Sequence, residues 1–309
     1  MADRLLVFAN DEVQKLLQEK FIAVAADDWY QRRRKDKVGE YFAKVVEQSP
    51  RKGNHTKQGH YVFTATGKLL GFNNNRGPEK RLQMMRAALA KWDKLPQEDR
   101  TVEVSEHGKN DKGFSRELPL GGQIVKAFTR CLDEREGRLQ KLAEGKIGNL
   151  AAVDHLWLQQ SEVKKLGELI ASGGGEVPNA ISLRIAKFHL RDNTRGEPRD
   201  WKKNEIKEWS LKVDGKGKVD GSFLIEAPDG KLGYQGKIDG GISVKEGRLT
   251  KFEFLILGKH WGHGKYTRGA RPGKTPMGQV FNLSDGKNAS DRIPPQGIRW
   301  EQGYWKPES

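Results

Sequence analysis

The chain has 309 residues, 31% of them charged and 35% hydrophobic, enough length for a sizeable core and two domains inside a heavily hydrated surface. Its formal net charge of +15 is unevenly spread, with an excess of +7 over residues 1–100, +1 over 101–200 and +7 over 201–309. This favours anionic partners (nucleic acid, acidic polysaccharide, anionic lipid or phosphorylated small molecules), and it accounts equally well for plain solubility. No apolar run approaches the roughly 20 residues needed to span a bilayer, and Leu5 to Ala9 is too short for a signal-peptide core. The expectation is a cytoplasmic protein, or one exported after a signal has been removed, with no transmembrane segment.

In chain order, the apolar run Leu5-Leu6-Val7-Phe8-Ala9 precedes a charged amphipathic stretch from Asp11 to Lys20 and a second apolar run, Phe21-Ile22-Ala23-Val24-Ala25. These predict strand, helix and strand. Residues 60–72 read as two short strands about a Gly-containing turn. Residues 79–92 place Leu82, Met85, Leu89 and Trp92 at helical spacing. The basic run Gln31-Arg32-Arg33-Arg34-Lys35-Asp36-Lys37 is the kind of sequence that forms a solvated face or touches an anion.

This order resembles the thioredoxin fold, with 60–92 as its closing strand pair and last helix. The resemblance implies a thioredoxin-like α/β domain over 1–95, but not the family's chemistry. Thiol exchange needs a low-pKa thiolate beside a second thiol, and the matching place holds Asn10-Asp11-Glu12-Val13. The proline that precedes the family's third strand would fall near Gly59 and is missing too. Two further stretches, residues 188–198 and 257–262, look like those of bacterial proteins labelled only as thioredoxin-family. The chain is therefore identified with a degenerate member of that fold, lacking Cys-x-x-Cys and fused to a C-terminal β domain.

Residues 96–149 read as a linker carrying a β hairpin, since 95–122 is polar and turn-rich around Pro96 and Pro119. Thr101-Val102-Glu103-Val104 alternates like a strand, with 124–132 as its partner. The one cysteine, Cys131, excludes an intramolecular disulfide and any multi-cysteine metal site; its apolar surroundings mark a buried structural thiol. Residues 150–309 read as helices packed on an antiparallel β domain. The spacing of Leu150, Val153, Leu156, Leu158, Val163, Leu166 and Leu169 predicts a helix ended by Ser172-Gly173-Gly174-Gly175, and Asp154-His155 would lie on it. Pro178 opens a stretch whose period is ambiguous between helix and strand. From Ile206 the pattern is β, with runs at 208–213, 219–227, 232–244, 248–257 and 279–283 divided by Asp214-Gly215, Asp229-Gly230 and Glu246-Gly247. Short turns imply an antiparallel meander, barrel-like or a strongly twisted sheet. The fold class is α+β.

Three nucleotide-like patterns fail on spacing or context. Residues 269–275 have three residues between glycines where a P-loop needs four, and Pro276 follows where a helix should start. Residues 215–221 sit between β runs with one residue too many for a dinucleotide fingerprint. Residues 214–220 place lysines where a calcium loop needs oxygens. There is no Gly-x-Ser-x-Gly element.

The strongest candidate is 258–278. It carries Lys259, Lys265, Arg268, Arg271 and Lys274 with no acidic residue, together with Trp261 and Tyr266. Cations neutralise phosphate or carboxylate, and aromatic faces stack on a base or sugar; alternatively the aromatics anchor the loop and the cations are merely solvated. Lys259, Trp261, Lys265, Tyr266, Arg268 and Arg271 form the expected ligand set. His260 and His263, joined by His189 and Asp192 (with His155 a weaker addition), would hold a transition metal if the fold and a turn at Trp261-Gly262 brought them together. The dense segment 191–198 serves either as a substrate corner or as a domain junction locked by arginine–carboxylate pairs. Three functions stay open: a non-redox binding or accessory protein using the basic-aromatic loop on an anionic ligand or partner; a metal-dependent enzyme using His260, His263 and His189; and sequence-independent nucleic-acid binding.

Overall fold

A computed structural model describes residues 7–308 apart from 9, 76, 103–107, 144, 145 and 147. The chain divides into two units, one over residues 3–116 and one built from 117–309. No helix among the described residues is long and apolar enough to cross a membrane.

In the first unit, α1 (Asp11–Lys20) starts where the Asn10 side chain accepts a hydrogen bond from the Val13 amide at 3.1 Å. A short α2 (Asp28–Gln31) and α3 (Lys37–Glu47, capped by Asp36) follow. The antiparallel hairpin of β1 (His60–Phe63) and β2 (Leu69–Asn73) leads into α4 (Pro78–Trp92), with Pro78 in the first turn, and α5 (Gln97–Arg100). Val7, Val13, Leu82 and Met85 form one buried cluster. The hairpin and α4 match the sequence expectation. The strand expected over 21–25 does not form: Phe21 closes α1, and Ile22 is 95% exposed. Five apolar residues in a row make a strand only if a neighbour supplies backbone partners, and none of the described residues does. In the run 5–9, Val7 and Phe8 are helical while residues 5, 6 and 9 lie outside the described set. Among the described residues the unit's strands are therefore β1 and β2 alone, fewer than the thioredoxin resemblance requires.

The second unit is dominated by one antiparallel sheet. Its strands are β3 (Gln123–Arg135), β4 (Arg138–Lys141), β5 (Ala152–Leu158), β6 (Gly174–Glu176), β7 (Ile206–Asp214), β8 (Lys218–Glu226), β9 (Gly233–Lys245), β10 (Arg248–Trp261) and β11 (Thr275–Leu283). They lie in the order β4-β3-β11-β10-β9-β8-β7-β6, and β5 also pairs with β3. The outer edge of β3 is shared by β5 over 123–129 and by β4 over 132–135, so β3 never meets β6. The sheet is open, which corrects the barrel-like expectation. The β3–β4 and β9–β10 turns use Glu136-Gly137 and Glu246-Gly247, with positive φ at both residues of each pair, the type I′ geometry that fits strand twist.

Two helices, α6 (Gln160–Ala171) and α7 (Asn179–Phe188), cover one face. Along β10, Phe252, Phe254 and Ile256 are buried while Lys251, Glu253 and Leu255 are exposed, the period-2 alternation of a strand with one covered face. These residues pack with Leu166, Ile181 and Ile185 of the helices in the main core. Each such side chain contributes about 1.5–3 kcal/mol. Residues 152–158 form a strand and not the expected first half of a helix, so Asp154 and His155 lie on β5. Leu156 and Leu158 face the main core, whereas Trp157 joins Ile124, Phe188, Ile298 and Tyr304 on the opposite side. A strand covered on both faces loses its alternation, and its apolar spacing then imitates a helix. A last helix, α8 (Glu301–Trp305), closes that second cluster. Under it lies a buried ion pair: Arg184 binds Glu162 through two nitrogens and the Trp157 and Tyr304 carbonyls, with its guanidinium 5.0 and 4.7 Å from the Tyr304 and Trp305 rings.

Candidate functional site

The covered face of the sheet is apolar over most of its extent and polar at one end. There the inward positions are Thr129 and Cys131 on β3, Asp154 on β5, His260 on β10 and Gln279 on β11, all buried. The segment 189–195, which leaves the end of α7, is drawn down over them. Gln279 fastens it: its Nε2 donates to the Thr129 hydroxyl and to the His189 carbonyl, both at 2.8 Å. Asp154 fastens it again, accepting from His189 Nδ1 at 3.1 Å. Burial alone would raise the Asp154 pKa, but the His189 hydrogen bond and the charges of His189 and Arg191 outweigh it and hold the carboxyl at about 2. Asp154 is thus a carboxylate at neutral pH, and His189 donates to it. Arg191 pairs with Asp200.

The second half of the segment builds a recess. Asp192 accepts from the Thr194 amide at 2.9 Å and hydroxyl at 2.6 Å, and pairs with Arg195 through its other oxygen. The remaining guanidinium nitrogens of Arg195 donate to the Thr267 carbonyl at 2.7 Å and the Gly262 carbonyl at 3.1 Å. Arg195 therefore ties the start and middle of loop 262–274 to segment 189–195. Gly196 supports the tie by close approach, since a Cβ there would lie 2.0 Å from the Tyr266 carbonyl oxygen. Beneath the loop, Cys131, Asp192, Arg195, His260, Trp261 and Arg271 line a recess of about 10 Å³.

The chemistry of the recess follows from burial. Burial pushes the Cys131 thiol up to about 11, and the Asp192 carboxylate, 3.8 Å from the sulfur, reinforces the shift. The thiol is protonated at neutral pH and is a poor nucleophile. Burial lowers His260 to about 4 against the opposing pull of Asp192, so its imidazole is neutral. A thiolate–imidazolium pair is therefore absent, and the carboxylate is committed to Arg195 and Thr194 instead of orienting the histidine.

Among the expected metal ligands, His260 lies in the recess, Asp192 is bound by Arg195, and His189 is bound by Asp154. The positive φ of Gly262 does supply a turn after Trp261, but His263 emerges exposed with its Nδ1 3.2 Å from the Gly264 carbonyl. The four are not brought together, and no group of three or more His, Cys, Asp or Glu among the described residues could hold a metal ion. His155, the weaker addition, is buried on β5 beside Asp154.

The expected ligand set divides in two. Trp261 is 8% exposed, donates its indole N–H to the Gly230 carbonyl at 2.9 Å, packs against Gly233 and carries the Lys274 ammonium 4.1 Å from its ring centre. It anchors the loop. Lys259 stands at 3.7 Å from Glu134, and Arg271 is half-buried, donating to the Pro276 carbonyl at 2.9 Å. Lys265, Tyr266 and Arg268 face solvent, with the Lys265 ammonium 5.2 Å from the Tyr266 ring.

Sequence reasoning missed Gln279, Asp154 and the role of Arg195. The available signal for Gln279 was a polar residue between Met277 and Phe281 at an inward strand position. Comparison with family models, with curated proteins and with solved structures gives no match for this chain.

Proposed function

We propose that the protein is a non-redox binding or accessory protein whose loop 262–274 holds an anionic ligand or partner. The observation that carries this reading is the loop itself: Lys265, Arg268, Arg271 and Lys274 without a carboxylate, on a base pinned by Arg195 and Trp261. A pinned base costs a loop less ordering entropy when it binds, and it holds like charges together where they would otherwise repel. Tyr266, which is 65% exposed, adds an aromatic face beside the solvated cations. The N-terminal unit enters this reading as a degenerate thioredoxin-like domain without thiol chemistry, consistent with Asn10-Asp11-Glu12-Val13 in place of a dithiol.

The test compares K265Q/R268Q with K216Q/K218Q, which removes the same charge at the β7–β8 turn. Retention on heparin and on a random duplex oligonucleotide is measured against salt. The loop variant should elute earlier than the control and flatten the salt dependence, by about 0.9 in log–log slope per lost phosphate contact on DNA. Equal losses in both variants would assign the attraction to overall charge and refute the loop's role. A loss on the oligonucleotide alone would favour nucleic acid as the anion.

A further inference from the structure

The recess beneath the loop is bordered by an imidazole. His260 is 6% exposed and lines the recess, and its ring nitrogens are not among the side-chain atoms sealed from solvent without a partner. A neutral imidazole offers one donor and one acceptor, and at such a position these are met by water or by a ligand that enters the space. The Tyr234 ring lies 6.0 Å away, and the Tyr234 hydroxyl is already committed to the Met277 carbonyl at 3.2 Å.

The charges around the space are lopsided. Arg195 and Asp192 neutralise each other, and every guanidinium nitrogen of Arg195 is in use. Arg271 adds a second positive charge to the lining, and one of its nitrogens is held by the Pro276 carbonyl. Asp192 is the one carboxylate among the lining residues, so Arg271 has no counter-charge there. The free space of about 10 Å³ admits one water-sized atom. The small residues Gly269 and Ala270 also line it, with positive φ at Gly269.

We propose that this recess seats one oxygen of a carboxylate or phosphate group between the His260 imidazole and the Arg271 guanidinium, an assignment that rests on the anion-binding reading of the loop. His260 donates its ring N–H to that oxygen, and Arg271 supplies the charge and a second donor. A charge-assisted bond of this kind is shorter and stronger than a neutral one. The rest of the ligand runs out along the solvent-facing cations of the loop, so the recess selects the terminal anionic group and the loop selects what carries it.

The test uses the full chain labelled with ¹⁵N, following the histidine ring resonances. His260 is assigned by its absence in H260Q, with H260N used where H260Q does not fold. Inorganic phosphate and acetate are titrated separately at pH 7.5 and constant ionic strength against chloride. The expected result is a saturable movement of the His260 signals by at least one of the two anions, weakened tenfold or more in R271Q and less than threefold in R268Q. Phosphate alone would name a phosphoryl ligand, acetate alone a carboxylate. No saturable movement with either, or equal weakening in R271Q and R268Q, overturns the assignment, the recess then holding water only. The two proposals fail separately. If His260 stays unmoved while K265Q/R268Q still elutes earlier than K216Q/K218Q, the recess falls and the loop stands. If His260 responds while the two double variants elute together, the loop falls and the oxyanion seat remains.

Discussion

Trp261 decides whether the loop's aromatic base is an anchor or a ligand platform. A buried tryptophan removes about 150–250 Å² from water, and Trp→Ala in a core costs about 3–5 kcal/mol. Trp261→Ala also leaves the Gly230 carbonyl without the indole donor that now reaches it at 2.9 Å. Trp261→Phe keeps most of the ring and loses that bond, an expected cost of about 1 kcal/mol. Gly233→Ala probes the same packing from the other strand, because a Cβ there would lie 2.2 Å from the indole Cζ2 and must displace the ring. Its cost, about 1–3 kcal/mol for overpacking, should shrink in a Trp261→Ala background, where the clash is gone. Urea unfolding followed by far-UV circular dichroism measures all four proteins. With a slope of about 3 kcal/mol/M, the transition of the sheet-bearing unit should move by about 1 M or more for Trp261→Ala. A Trp261→Ala protein with an unchanged midpoint that nevertheless loses retention on polyanions would refute the anchor and make the ring a stacking face.

The depressed pKa of His260 makes stability acid-sensitive. Between its ordinary value of 6.5 and about 4 the unfolded chain binds a proton that the folded chain refuses, so stability is complete above 6.5 and falls on acidification to about 4. His260 should account for about 3 kcal/mol of the loss over this window in chemical denaturation, and a folded H260Q protein should keep only the remainder from His155, whose pKa burial also lowers; a pH-independent midpoint between 6.5 and 4 would refute it. Asp154 adds a second loss below its ordinary 3.8, continuing to about 2. Glu162→Gln strands the Arg184 charge inside the protein and should cost about 3–5 kcal/mol by denaturant titration, with Glu162→Gln/Arg184→Met recovering much of it. Less than 1 kcal/mol for the single change would show that the pair is solvated. Cys131 should react with a thiol reagent only as the fold opens, so its labelling rate in native buffer should fall far below that in urea.

The β half of the chain was legible because its strands keep one covered face: Phe252, Phe254 and Ile256 alternate with exposed residues, and the turn pairs Asp214-Gly215, Asp229-Gly230 and Glu246-Gly247 fall at or between strand ends. Residues 152–158 were illegible for the opposite reason. With Leu156 buried on one face and Trp157 on the other, no local pattern separates strand from helix. The run 21–25 was misread because apolar composition is necessary for a strand but does not supply a neighbour. In the loop, the clustering of cations could be read from composition. The burial of Trp261 could not, because it depends on Gly233 and Gly230 across the β9–β10 pair. The pairing of Arg195 with the carbonyls of Gly262 and Thr267 spans 67 and 72 residues, beyond any local pattern.

An open sheet has two ends, and exposed strand ends are templates for self-association. Here the borders differ in kind. On one side β6 is only Gly174–Glu176, too short to guide a second chain into register. On the other, β4 carries Arg138 and Lys141 on a fully exposed four-residue strand, where like charges oppose stacking of copies. The outward backbone of β5 is occupied by side chains: the Trp157 amide donates to the Tyr304 hydroxyl at 3.1 Å, and its carbonyl accepts from Arg184 at 3.1 Å. Arg184 therefore covers part of the β5 edge as well as supporting the fold. A chain that loses it frees a strand edge at the moment its core loosens, and such a variant should form sheet-rich aggregates as it unfolds, where the Trp261 variants should remain dispersed.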